Sequence, residues 1–236
     1  MNNSYYETLD ENFTQALKLY EEEYSHDELI ELLKSGNIVQ KQIAALRIEK
    51  INSFQDAEVL VANLTGQDGK IREVVSLRLN EFMSNEKYLQ YFQVTNNYNI
   101  FLDAIIDINA NICRNVINAI TNLKNNDDFC TQFCSNLAKL SIDLLNKIEQ
   151  FDFQDGKYKV NKEVFKLYWC LETIYEFYDK INFEDMKQII LRSKDVQEYT
   201  IREKAAKILT RNFDDIELAQ AKSELQNDRN YYVRRF

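Results

Sequence analysis

This sequence predicts an all-α chain, a right-handed superhelix of antiparallel helical pairs, and three observations carry that expectation. The first is a recurring segment. Ile71-Arg72-Glu73-Val74-Val75-Ser76-Leu77-Arg78-Leu79 and Ile201-Arg202-Glu203-Lys204-Ala205-Ala206-Lys207-Ile208-Leu209 follow one template: aliphatic, Arg, Glu, variable, small or aliphatic, small, two variable positions, Leu. A weaker copy starts at Gln40, a looser one at Ile112, and Val233-Arg234-Arg235-Phe236 begins another. Recurrence of this kind marks stacked helical pairs, a solenoid. The second observation is that 236 residues contain no proline and four glycines, where an average chain carries about 5% proline, so helices can run almost everywhere. The third is a hydrophobic content of 45%, enough for a continuous core.

The elements follow in order. Thr8-x-x-Glu11 is a capping-box pattern opening an acidic helix near 8–24. Phe13, Leu17, Tyr20 and Tyr24 are expected on its apolar face, covering the open end of an array that fills 25–236. Ser25-x-x-Glu28 opens the next helix, which Gly36 ends in the manner of a C′ glycine. Helices near 38–53, 56–65 and 70–84 follow, with Gly66 and Gly69 at the turn between the last two. Further helices are predicted near 86–94, 98–106, 110–125 and 127–149. A loop containing Gly156 precedes helices near 160–179, 183–193, 197–212 and 214–227. Template starts at 40, 71, 112, 201 and 233 leave room for a degenerate, enlarged unit at about 127–179 and make the last repeat incomplete. The small pairs Ala44-Ala45, Val75-Ser76 and Ala205-Ala206 let neighbouring backbones approach closely.

Asp68-x-x-Ile71-Arg72 with Val75 and Leu79, Ile201-Arg202 with Ala205-Ala206 and Leu209, and Asp228 with Val233-Arg234 resemble the HEAT-repeat family. In that family an Asp-containing turn precedes an aliphatic-Arg pair opening the second helix, and the Arg bonds turn carboxylates of neighbouring repeats. The resemblance implies a structural ladder of Arg72, Arg202 and Arg234 with Asp68 and Asp228. Lys41 and Cys113 stand at the Arg position in the other copies, and the family's turn proline is missing. The resemblance implies architecture more than activity, because such folds host many functions.

Net charge is −9, and residues 1–35 hold nine carboxylates against two lysines. No stretch is basic enough for a phosphate-binding stripe, so duplex nucleic acid is not an expected partner. The N-terminus has neither the basic nor the apolar region of a signal peptide, and no window approaches a membrane span. Cys113, Cys130, Cys134 and Cys170 lie in helical patterns and read as reduced core thiols of a cytoplasmic protein.

No catalytic constellation emerges, and neither a metal nor a cofactor is expected. Cys130 and Cys134 share a helix face but lack two further zinc ligands. The single histidine, His26, reads as a surface residue rather than a general base. The runs Asp127-Asp128 and Asp214-Asp215 suit helix starts, whereas Glu21-Glu22-Glu23 lies near a helix C-terminus, where the dipole disfavours it. Tyr168, Trp169, Tyr175, Phe177 and Tyr178 read as core, with an aromatic ligand floor as the alternative. The expected partner surface is the solvent-facing column of the second helices: Glu73, Asn80, Glu81, Arg114, Asn118, Asn122, Lys207 and Arg211. Leu46 and Leu77 interrupt that column with apolar side chains, through inter-repeat packing or as a groove for a partner peptide. The expectation is therefore a non-enzymatic scaffold or adaptor for a protein or peptide. The alternative that the family resemblance supplies is a solenoid enzyme, an alkylated-base DNA glycosylase or a bilin-lyase type.

Overall fold

The computed structural model describes residue 14 and residues 17–93, 97–151 and 157–236, and every regular element among them is helical. The helices are α1 (His26–Ser35), α2 (Ile38–Arg47), α3 (Phe54–Ala62), α4 (Gly69–Met83), α5 (Glu86–Leu89), α6 (Tyr98–Ile105), α7 (Ala110–Thr121), α8 (Asp127–Glu149), α9 (Lys157–Phe177), α10 (Phe183–Ser193), α11 (Tyr199–Leu209), α12 (Ile216–Gln226) and α13 (Tyr231–Arg234), with a 3₁₀ turn at Gln90–Phe92. This is the all-α solenoid of helical pairs that the repeats predict. The capping box at Thr8, Phe13 and Gly156 lie outside the described residues.

Asparagine takes the punctuating role that proline leaves vacant. Asn37, Asn85, Asn109, Asn126, Asn182 and Asn230 each accept a hydrogen bond from a first-turn backbone N–H of the helix they precede. A side-chain acceptor there satisfies a donor that the helix itself cannot. Ser25 and Glu28 form both halves of their capping box, and so do Asn37 and Gln40. Helix α2 ends at Arg47, well short of the expected 53. Ile48 and Ile51 are both buried, and an extended backbone at Ile48 carries them into the core instead of around another turn. Asn212, at φ 57°, turns the chain after α11; asparagine is among the few side chains that tolerate this region.

The chain forms two compact units. One holds the described residues up to Ala104 together with Asn109–Asn122; the other holds Ile105–Ile108 and Leu123–Phe236. In the first, α1 pairs with α2 and α3 with α4, and the second helices α2, α4 and α7 pack side by side. In the second, the pairs are α8 with α9, α10 with α11 and α12 with α13, and α9, α11 and α13 form the corresponding second-helix layer. Where the sequence leads one to expect an enlarged unit, the α8–α9 pair has helices of 23 and 21 residues.

The small pairs are buried where second helices meet: Ala44, Ala45, Val75, Ser76 and Ala205 have no measurable exposure. Ser76 meets the cost of burying a hydroxyl by donating to Glu73 O at 2.8 Å and accepting from Asn115 Nδ2 at 3.2 Å. The N-terminal segment presents a different face from the one expected. Leu19 is buried, whereas Leu17 and Tyr20 are 46% and 69% exposed. Arg47 sets this orientation by donating to the carbonyls of Leu19 at 2.9 Å and Glu22 at 2.6 Å.

Gly36 departs from the expected left-handed C′ residue, with φ −66° and ψ 166°. Space is what demands glycine there. An added Cβ would press into the Leu32 carbonyl and lie 2.8 Å from Gln40 Cβ. Gly36→Ala should therefore destabilise the fold by about 1–3 kcal/mol in urea unfolding. Gly69→Ala, where a Cβ meets nothing within 4 Å, should be neutral or stabilising by up to about 1 kcal/mol. Equal effects at the two positions would remove the steric argument.

Candidate functional site

The arginines of the template grip the turns that precede their own helices. Arg72 Nη1 donates to Gln67 O, Arg202 Nη1 to Gln197 O at 2.7 Å and Val196 O at 2.9 Å, and Arg234 Nη1 to Arg229 O at 3.1 Å and Asp228 O at 3.2 Å. The carbonyl five residues upstream is common to all three. Arg202 also reaches the next turn with a two-pronged contact, Nε to Asp228 Oδ2 at 2.7 Å and Nη2 to Oδ1 at 3.3 Å. In the first copy Lys41 substitutes for Arg and donates to Asn63 Oδ1 at 3.0 Å and Gln67 Oε1 at 3.3 Å, again in the next turn. Asp68 accepts from Lys70 N at 2.9 Å and so caps its own helix.

The expected partner column is divided between the units. On the first, Glu73 accepts from Asn111 Nδ2 at 2.9 Å, Glu81 pairs with Arg78 at 2.6 Å, and Arg114 donates to Asn111 Oδ1 at 3.3 Å. Asn118 is exposed, Asn80 is half-buried, and Asn122 caps the end of α7 by donating to Asn118 O and Ala119 O. Leu46 and Leu77 are 47% and 45% exposed on the neighbouring helices α2 and α4. Arg78, beside Leu77, donates to Ala45 O at 3.2 Å and to Leu46 O, holding the end of α2 against α4. Next to Leu46 opens a cleft of 760 Å³ whose walls include Tyr20, Tyr24, Arg47, Lys50 and Arg78.

On the second unit the column is drawn inward. Lys207 donates to Glu172 Oε2 at 2.6 Å, and Lys204 pairs with the other Glu172 oxygen at 2.5 Å. Burial acts to raise the Glu172 carboxyl, but the hydrogen bonds from Lys204 and Lys207 outweigh it and hold the carboxyl below its usual range. Lys204 lies 4.5 Å from the centre of the Tyr168 ring, Lys207 4.3 Å from Tyr175, and Arg211 3.9 Å from Tyr175 and 4.8 Å from Tyr178. These tyrosines are half-buried, and Trp169 and Phe177 belong to the core. The tyrosine faces on which a nucleobase would stack thus already carry the protein's own cations. Glu172 went unrecognised in the sequence because its cations lie more than thirty residues away on another helix. The available hint was a single carboxylate among Cys170, Leu171, Thr173 and Ile174.

His26 is half-buried rather than a surface residue. Its Nε2 lies 2.7 Å from Asp56 Oδ2, and Asp56 also accepts from Asn52 N and Ser53 Oγ, each at 2.8 Å. Burial acts to raise the Asp56 carboxyl, and these hydrogen bonds more than reverse the effect. The Ser53 hydroxyl donates to the carboxylate, so this is an anion held by several donors and not a nucleophile beside its base. All four cysteines are free and buried. Burial pushes Cys134 and Cys170 up to about 12, and Cys130 Sγ donates to the carbonyls of Leu123 and Lys124. Among the described residues no group of three or more His, Cys, Asp or Glu side chains converges on a metal position, and no helix is long and apolar enough to cross a membrane.

No family model matches this chain, and no curated protein matches it. Its fold is similar to that of an engineered protein from the Northeast Structural Genomics Consortium, at 18% identity over 90% of this chain and 95% of that one, with a TM-score of 0.51. A second engineered protein from the same consortium matches at 12% identity, 90% and 93% coverage and a TM-score of 0.48. A designed armadillo repeat protein matches at 14%, 89% and 96%, with a TM-score of 0.43. At such identities the first of these likenesses speaks to the fold alone.

Two outcomes are expected from this geometry. Arg202→Ala strands Asp228 and the 196–197 carbonyls and should cost about 1.5–3 kcal/mol in urea unfolding at neutral pH. Arg202 holds the Asp228 carboxyl below its usual value. Its stabilisation is therefore complete above the unfolded carboxyl value of about 3.9 and fades as pH falls through the lower folded value. The gap between wild type and variant should narrow progressively as pH falls below about 5; a gap independent of pH would contradict the pairing. Separately, thiol titration of the native protein should proceed far more slowly than in denaturant, where all four thiols react. Rapid native labelling at Cys134 would show that its burial is overstated.

Proposed function

We propose that this chain is a HEAT-like, non-enzymatic scaffold or adaptor that binds a protein or peptide along the second-helix layer. The supporting observation is the pairing of Leu46 and Leu77. Both are nearly half exposed, at equivalent template positions on helices that pack side by side. Around them stand Glu73, Asn80, Glu81, Arg114 and Asn118, and a cleft opens next to Leu46. Apolar anchors spaced by one helix-to-helix step and rimmed by polar groups suit an elongated peptide. The tyrosines of α9 are covered by Lys204, Lys207 and Arg211, which favours this reading over a base-flipping enzyme. The buried, reduced thiols accord with a cytoplasmic location.

A displayed random-peptide library selected on the full chain tests the reading. Enriched peptides should bind a Leu46→Asn/Leu77→Asn variant at least about tenfold more weakly while its thermal transition stays within a few degrees of wild type, since two exposed leucines contribute little to folding and several kcal/mol to a docked side chain. Charge reversal at Glu81 and Arg114 should reduce affinity further. Enriched peptides that bind all these variants equally, or no enrichment at all, would refute the assignment of the surface.

A further inference from the structure

Within the second unit the cations outnumber the anion they share. Lys204 and Lys207 both pair with Glu172, one turn apart on α11, and Arg211 follows one turn later, just past the end of α11, with no carboxylate among the described residues at ion-pair distance. Its guanidinium carbon lies 3.9 Å from the centre of the Tyr175 ring and 4.8 Å from that of Tyr178. Among the described residues its one hydrogen bond is long, from Nη2 to Tyr175 O at 3.4 Å, and its buried Nε has no partner there. A guanidinium so placed is electrostatically incomplete. A buried N–H without an acceptor is unfavourable, and the one carboxylate nearby that the structure pairs with this helix is already taken by Lys204 and Lys207.

We infer that Arg211, with Lys207 behind it, anchors a side-chain carboxylate of an acidic peptide on the second-helix face of the second unit. This rests on the peptide-binding reading above and names the chemistry of the partner. The two tyrosine rings hold the guanidinium in place before anything binds, and Asn212 in the left-handed region turns the backbone immediately after it. Little freedom remains to be lost on binding. With Nε covered, the two terminal amino groups form the edge a ligand reaches, and their spacing matches the two oxygens of a carboxylate. A carboxylate is favoured over a nucleic acid for two reasons. The tyrosine faces that would stack on a base are occupied, and a single fork does not supply the row of phosphate contacts a nucleic-acid strand requires.

The test uses the full chain and three probes: a short peptide of alternating Glu and Ser, its counterpart with Gln for Glu, and oligothymidylate. The Arg211 Nε–Hε signal in a proton–nitrogen correlation spectrum, assigned by its loss in Arg211→Gln, should shift on titration with the Glu peptide and stay in place with the Gln peptide. Fluorescence anisotropy should show the Glu peptide binding Arg211→Gln about 10- to 100-fold more weakly than wild type, the range set by one charged hydrogen-bonded pair. A stationary Arg211 signal, or equal affinity of both proteins for the Glu peptide, would overturn the anchor. If the Gln peptide binds as well as the Glu peptide, the anchor fails while peptide binding stands. If oligothymidylate alone shifts the signal, the carboxylate assignment is wrong and the site takes phosphate. Binding by none of the probes also overturns the anchor, and the wider reading is then decided by the library selection.

Discussion

Each turn between helices leaves carbonyl oxygens that no helix can satisfy, and the solenoid depends on a cation reaching back to meet them. Arg72, Arg202 and Arg234 do this from the second position of their template copies, each through the carbonyl five residues upstream. Because the donor sits at the start of the following helix, one contact closes the turn and fixes the direction in which that helix leaves it. Arg202 extends the device by clasping Asp228 in the next turn, so two successive repeats share one guanidinium. Lys41 shows the limit of the substitution. A single ammonium reaches the next turn, but its two partners there are neutral amides rather than a carboxylate.

Once the turns are closed, the second helices pack along their small residues, and everything polar that remains on them is sorted by what the adjacent helix offers. In the first unit the neighbours of Leu46 and Leu77 are helices of ordinary length, and both side chains stay partly in solvent. In the second unit the neighbour is the long aromatic α9, which together with Tyr178 just beyond its end supplies three tyrosine faces and one carboxylate to Lys204, Lys207 and Arg211. Equivalent template positions thus carry exposed apolar anchors in one unit and stacked cations in the other. The difference comes from the partner helix and not from the template. Breaking the Glu172 cluster from one side would leave charges in a low-dielectric setting, which is why such clusters tend to be kept whole or replaced whole.

How far the molecule was legible varied with the range of the interaction. Helix α8 and the capping box of α1 lay in the sequence as local patterns and recur at the expected residues. The end of α2 did not, because Ile48 and Ile51 fit a continuing helix equally well until the core demands that both turn inward. Gly36 was recognisable as a helix terminator, but its backbone is extended, and the need for glycine comes from the crowding of Gln40 and the Leu32 carbonyl. Among the column residues, the placement of Lys207 on a second helix followed from periodicity, whereas Arg211, expected within a helix running to 212, lies in the turn after α11. Their engagement with Glu172, Tyr175 and Tyr178 did not, since those partners lie on α9 or just past its end, across a turn and a further helix.

The sequence by itself determined the helical class and the capping box at Ser25, because each rests on contacts within a few residues or on a period the chain carries internally. The tertiary structure decided which exposed positions are free to meet a partner. Whether a lysine faces water or a buried carboxylate, and whether a leucine is covered, depends on the side chains that a neighbouring helix brings to the same place. That pairing is set by packing between distant segments, so the template positions fixed where Lys207 and Leu77 stand, and the helices beside them fixed what each can bind.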